Sequence, residues 1–194
     1  MKKPSLVVVI ALTSALLLAS GCKNKEQTAS TDTASSDTAS STTSTTPPPA
    51  APMATDDQNF MQKAATGGLA EVALGQQVSP AAKNPDAKGF ADKMVADHSA
   101  ANDELKQLAS TKGVSLPSDT DQEHKDAAQK VMSAQNVDKA YMDEMVKDHD
   151  KDVKEFEDAS KSAKDTDLKA WIDKTLPVLK EHQKMAHDID KKMK

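Results

Sequence analysis

The sequence predicts an all-α domain, an antiparallel four-helix bundle with an extra short helix, on three observations. From residue 56 onward no segment alternates apolar and polar side chains as a half-buried strand does, and aromatic residues make up only 3% of the chain. Apolar residues instead recur at helical spacing in long runs with short connections, which is the pattern of antiparallel neighbours. The third is a repeat: Phe90, Asp92, Met94, Val95, Asp97 and His98 return as Tyr141, Asp143, Met145, Val146, Asp148 and His149. Aromatic, Met and His stand at i, i+4 and i+8 in both copies, so each histidine shares an apolar stripe with its aromatic. Two related halves packed face to face are expected.

The first helix is expected to begin near Asp56 or Asp57, either of which can cap free amides. It runs through Phe60, Ala64, Gly68, Glu71, Leu74 and Val78 and ends before Pro80. Gly67 and Gly68 weaken it by roughly 1 kcal/mol each relative to alanine and mark a close helix contact. Asn84-Pro85 places a cap and a first-turn proline at the start of the second helix, whose stripe is Phe90, Met94, His98, Ala101, Leu105 and Leu108. Lys112-Gly113 ends it in a left-handed terminator. A shorter helix over residues 118 to 133 is expected to open at Ser118, with Asp121 three residues on as in a capping box. The fourth covers about Val137 to Ser162, with Tyr141, Met145, His149, Val153 and Phe156 inward. Asp165 or Thr166 caps the last, which carries Leu168, Trp171, Ile172, Leu179, His182, Met185 and Ile189 and is expected to kink at Pro177.

Residues 1–21 read as a signal segment: Lys2 and Lys3 precede an apolar run from Leu6 to Leu18, too short to span a bilayer and stay. Leu18-Ala19-Ser20-Gly21-Cys22 resembles the lipobox of bacterial lipoproteins, with its leucine one place further upstream than usual. The resemblance implies acyl chains, palmitate among them, on Cys22 and a membrane contact through that lipid anchor. Lys23, where inner-membrane lipoproteins often carry Asp, points to the outer membrane and the periplasm. A single cysteine excludes an internal disulfide and thiol-based redox chemistry. Residues 22–55, rich in Ser, Thr, Ala and Pro, are expected to form a disordered linker with a reach of roughly 30 Å. The domain then occupies residues 56–194.

Removing Lys2 and Lys3 takes two positive charges from the formal −5, leaving the processed chain near −7. Nucleic acid is thereby excluded as a partner, and no protein partner is specified. No Gly-x-Ser-x-Gly elbow or phosphate-cradling loop is present, so hydrolase and nucleotide-binding chemistry find no support.

Four polar residues fall on predicted core faces, one per long helix: Glu71, His98, His149 and His182. A polar side chain buried without a partner costs several kcal/mol, so the four require one another, water or a metal. Three imidazoles and a carboxylate suit a single Zn, Fe or Cu ion. Met94 and Met145, one turn before their histidines, would favour Cu(I) if their thioethers joined the site. The alternative is a hydrogen-bonded polar layer that sets the register of the bundle. Asp97 and Asp148 lie on the flank of the stripe, where they orient a histidine or face water, the second being the common outcome for a charged residue there. Glu181 is read the same way, and His124 and His187 are expected at the surface.

Phe60, then Gly67 through Val72, Phe90 through His98, Tyr141 through His149 and Thr175 through His182 follow one another in an order that resembles the domain of unknown function 4142 family. The resemblance implies a ferritin-like four-helix bundle in an exported or outer-membrane protein and no established activity. Ferritin-like di-metal centres use Glu-x-x-His on two helices. Here Val95 and Val146 occupy the glutamate positions, which argues against a ferroxidase or di-iron oxygenase. The expected function is that of a lipid-anchored envelope protein acting by binding, of a metal ion or a protein; the alternative is a mononuclear metal-dependent redox or metal-handling enzyme.

Overall fold

The computed structural model describes residues 52–194, and the signal segment, Cys22 and most of the linker lie outside them. Five helices follow in order: α1 (Thr55–Ala81), α2 (Pro85–Lys112), α3 (Gln122–Met132), α4 (Val137–Ser162) and α5 (Thr166–Lys192), with no strand among the described residues. α1 pairs with α2 and α4 with α5 as two hairpins, while short α3 crosses between them and touches α1 and α4. No helix among the described residues is long and apolar enough to cross a membrane.

The helix ends follow local chemistry. The Asn84 side chain accepts from the amides of Asp86 and Ala87 ahead of Pro85, and Gly113 ends α2 at φ 67°. Asp165 opens α5 by accepting from Asp167 and Leu168, and the helix continues unbroken through Pro177. Two expected ends are corrected. α1 passes through Pro80 to Ala81, because a proline in the last turn forfeits only its own amide bond; the Ala82 amide still reaches the Val78 carbonyl. α3 starts at Gln122 rather than Ser118, because Asp121 accepts from both the amide and the ring of His124 and so caps the helix itself.

Asp57 does not cap its own helix either. Its buried carboxylate accepts from the amides of Lys164 and Asp165 in the α4–α5 turn, at 2.7 to 3.2 Å. Asp138, near the start of α4, does the same for the amides of Lys83 and Asn84 in the α1–α2 turn, at 2.9 to 3.1 Å. Each hairpin thus closes the turn of the other, and the exchange relates α1 to α4. The Phe90 and Tyr141 repeat sits on α2 and α4, which are not equivalent under that relation. Its two copies are alike because both face the same interior layer.

Close approach within the α1–α2 hairpin depends on two glycines. A Cβ at Gly68 would fall 2.2 Å from Asn102 Oδ1, and one at Gly75 would fall 2.9 Å from Val95 Cγ2 and 3.0 Å from the Ala91 carbonyl. The first neighbour is the tip of a mobile side chain, whereas the second pair includes backbone that cannot yield cheaply. Gly67, expected to share in this contact, meets nothing within 4 Å. Glu71 lies between Gly68 and Gly75 on the same face and is thereby carried in toward α2.

The apolar interior consists of two clusters. One gathers Met61, Leu105, Phe156, Leu168, Trp171 and Ile172; the other gathers Leu74, Phe90, Met94, Tyr141, Met145 and Ile189. Glu71, His98, His149 and His182 belong to neither and are all buried, the last two completely. They form a polar layer between the clusters.

Candidate metal centre

Each residue of the layer comes from a different long helix, as the stripes predicted. Helical phase alone turns His98, His149 and His182 inward. That they also share one level is a matter of helix register: the ring centroids lie 5.3 to 5.8 Å apart, and one nitrogen of each ring lies within 4.8 Å of the others.

Every imidazole is anchored through one nitrogen. His98 Nδ1 bonds Glu71 Oε2 at 2.8 Å, His149 Nδ1 bonds the Met145 carbonyl at 3.0 Å, and His182 Nε2 bonds Asp97 Oδ2 at 2.8 Å. Carbonyl and carboxylate oxygens only accept, so the anchored nitrogens carry the hydrogens. A neutral ring then presents its other nitrogen as a lone pair. Those other atoms, His98 Nε2, His149 Nε2 and His182 Nδ1, are buried without a hydrogen-bond partner, as is Glu71 Oε1, 3.4 Å from His149 Nε2. Three oriented lone pairs and a free carboxylate oxygen are a donor set for one metal ion, with the anchors fixing tautomer and ring angle.

The electrostatics of the metal-free layer favour this set. Burial alone would push the Glu71 carboxyl up, but the facing imidazoles of His98 and His149 hold it down at about 2, so it is anionic. Burial pushes the His149 and His182 imidazoles down, His182 to about 4, leaving both rings neutral. His98 is raised despite its burial, because Glu71 lies against it. In the metal-free protein the unfolded chain takes up a proton at His182 near pH 6.5, whereas folded His182 stays neutral down to about 4. This contribution to stability is complete above the window and is lost as pH falls through it. His182→Gln is expected to flatten the loss of stability between pH 7 and pH 4.5, by on the order of 2 kcal/mol. Urea midpoints of both proteins at the two pH values check this, and equal pH dependence would refute it.

Of the two readings open for Asp97, orienting a histidine or facing water, the structure shows the first: it holds His182 across the α2–α5 contact. Lys93 Nζ sits 2.9 Å from the same oxygen and helps keep Asp97 low, although burial opposes it. Asp97 therefore orients a histidine on another helix, not its neighbour His98. Asp148 makes no hydrogen bond or ion pair with a histidine among the described residues; burial and the charges of Glu144 and Glu71 push it up to about 6. Met94 and Met145 are packed in the apolar cluster, and Met145 serves the layer through its carbonyl rather than its sulfur. Glu181 is exposed beside Lys93, and His187 is exposed on Asp150. His124 is only partly exposed, and with Asp121 it lines a cavity of about 150 Å³ that reaches Glu71 and His98 from the α1–α3–α4 side.

Sequence reasoning missed Asp152, which lines this cavity. Burial and the charge of Glu71 push its carboxyl up to about 8. Its only signal in the sequence is a spacing: Asp152 stands fourteen residues after Asp138, as Glu71 stands fourteen after Asp57.

The family model described as Domain of unknown function (DUF4142) matches residues 42–189. The chain belongs to this family. No match to this member of the DUF4142 family is found among curated proteins. Among solved structures it is similar to a DUF305 fragment from Deinococcus radiodurans, with a TM-score of 0.65 and 7% identity over 73% of this chain and 99% of that one. At that identity the likeness shows the helical fold alone.

Proposed function

We propose that this DUF4142 protein binds one transition-metal ion, with His98, His149 and His182 as nitrogen donors and Glu71 as the oxygen donor. The observation that carries the proposal is that one nitrogen of each of three buried imidazoles lies within 4.8 Å of the others, while His98 Nε2, His149 Nε2, His182 Nδ1 and Glu71 Oε1 are buried without a hydrogen-bond partner. A polar layer kept only for register would pair these atoms with each other at hydrogen-bond distance. Imidazole and carboxylate donors suit Zn²⁺, Fe²⁺ or Cu²⁺, and the Met145 anchor gives no role to soft sulfur. Metal analysis of the chain, purified without an affinity tag, tests this: about one equivalent supports it, and near zero after incubation with each of the three ions refutes it.

The protein does this at the cell envelope, held by lipid on Cys22 at the outer membrane with the bundle in the periplasm. The lipobox-like segment before Cys22 supports that placement. Cys22→Ser is expected to move the protein from the membrane fraction to the soluble periplasmic fraction, and an unchanged distribution would refute the anchor. A single-metal redox or metal-handling enzyme is the second reading. The cavity favours it, because a small molecule could reach the ion past Glu71 and His98.

A further inference from the structure

We propose that the cavity beside the imidazole layer binds a small neutral organic molecule, about the size of one six-membered ring, next to the metal ion. This deepens the second reading of the metal centre, although the chain forms the cavity without the ion.

Gly67 is the first reason. Its neighbour Gly68 is required by the close approach of Asn102, but a Cβ at Gly67 would meet nothing within 4 Å. Nor does its backbone call for glycine, since the only positive φ at a glycine among the described residues is at Gly113. A glycine inside a helix weakens that helix, so packing and backbone leave this one without a purpose. Phe60, Ala64, Gly67 and Glu71 follow at i, i+4, i+7 and i+11 and all line the cavity, so Gly67 lies on the face of α1 that forms its wall. A larger residue at this position would fill the space that glycine leaves.

Size and lining define the occupant. At about 150 Å³ the cavity matches the volume at which an apolar cavity takes up benzene. Part of the lining is aromatic: Phe156 packs on Phe60 and Trp171, with ring centroids 5.1 and 5.6 Å apart. Trp171 is only 8% exposed, and its Nε1, which can donate but not accept, is buried without a partner. Glu71 and His98 of the metal centre line the same space. An apolar ring that carries one lone pair suits such walls, because the indole N–H or the ion can take the lone pair. Charge disfavours ionic ligands. The metal ion repels a cation, while on the solvent side Lys63 is taken up by Glu155 at 2.6 Å, which leaves Lys151 against Asp121 and Glu123 and gives an anion no net attraction.

Pyridine, a neutral six-membered ring with one lone pair, is the probe. Trp171 is the sole tryptophan of the chain, so its indole N–H gives a single peak in a nitrogen–proton correlation spectrum. Pyridine titrated into the full chain preloaded with one equivalent of Zn²⁺ is expected to shift this peak saturably. Gly67→Leu is expected to weaken that binding at least tenfold with its Zn²⁺ content unchanged, and Gly67→Ala, which adds one methyl group, to weaken it by less. Both residues are better helix formers than glycine, so the helix is kept. Gly89→Leu, at an exposed helical position outside the cavity where a Cβ also meets nothing, is expected to bind as the wild type does. No saturable shift in the wild type, or equal affinity in Gly67→Leu, would overturn the ligand site. Failure to retain Zn²⁺ would instead overturn the imidazole centre, and the same titration of the metal-free chain would still decide the cavity.

Discussion

Changing His98 and His149 together to alanine is expected to take bound Zn²⁺ from about one equivalent per chain to near zero, with a loss of affinity of at least a thousandfold. The free energy of a four-donor zinc site is on the order of 10 kcal/mol, and two of the four donors would be gone. The two remaining, Glu71 Oε1 and His182 Nδ1, would also lose orientation, because the His98 ring that holds Glu71 in place would be absent. The substitution leaves space in a packed layer, so a His98→Gln, His149→Gln pair should be measured beside it. Glutamine keeps volume and hydrogen bonding and removes the imidazole lone pairs. Loss of metal with circular dichroism intact in the glutamine pair supports the metal centre. Equal metal content in the wild type and both pairs would leave a polar layer that serves only to set register.

Asp57→Ala and Asp138→Ala are each expected to destabilise the domain by about 2 kcal/mol, and the double variant by about twice that. Each carboxylate satisfies two amides in the opposite hairpin's turn, and each is more than nine-tenths buried. Alanine removes the acceptor and leaves those amides to whatever water can reach them. The two sites lie at opposite ends of the bundle and share no partner, so their effects should add. Because a domain of this size is stable by only about 5–15 kcal/mol, the double variant should unfold at a much lower urea concentration. Equilibrium urea unfolding of the three variants measures this. Single-variant losses below about 0.5 kcal/mol would mean that water replaces the carboxylates and that the exchange between hairpins contributes little.

Much of the helix plan was legible in the chain because caps and stripes are local. Asn84-Pro85, Lys112-Gly113 and Asp165 act within a few residues of their own positions, and the structure places the ends of α2 and the start of α5 where these signals lie. Asp57 shows the limit of such reasoning. It has the right residue type at the right place to cap α1, yet it bonds a turn more than a hundred residues away, because the packed hairpin brings unsatisfied amides to it. The same limit governed the site. Glu71, His98, His149 and His182 could be placed on inward faces by helical phase, but no periodicity states which ring nitrogen is anchored or by what.

Asp97 and Asp152 mark the other boundary. On its helix Asp97 is a flank residue like many solvated aspartates. It becomes the anchor of His182 only because α2 and α5 pack side by side. Asp152 carries no motif, and its kinship with Glu71 emerges only after the turn-closing roles of Asp57 and Asp138 are known.

Sequence by itself determined the helical class, the four polar residues that face inward and the absence of the Glu-x-x-His pairs of a di-metal carboxylate centre. It could do so because helical phase and side-chain identity are properties of a single segment. Only the tertiary structure decided that the four residues share one level, that each imidazole is tethered through one nitrogen with the other left free, and that Asp152 lines a cavity with Glu71 and His98. Those facts depend on the relative register of separate helices, which is set by the packing of two apolar clusters, the close approach at Gly75 and the crossed carboxylate bonds between hairpins.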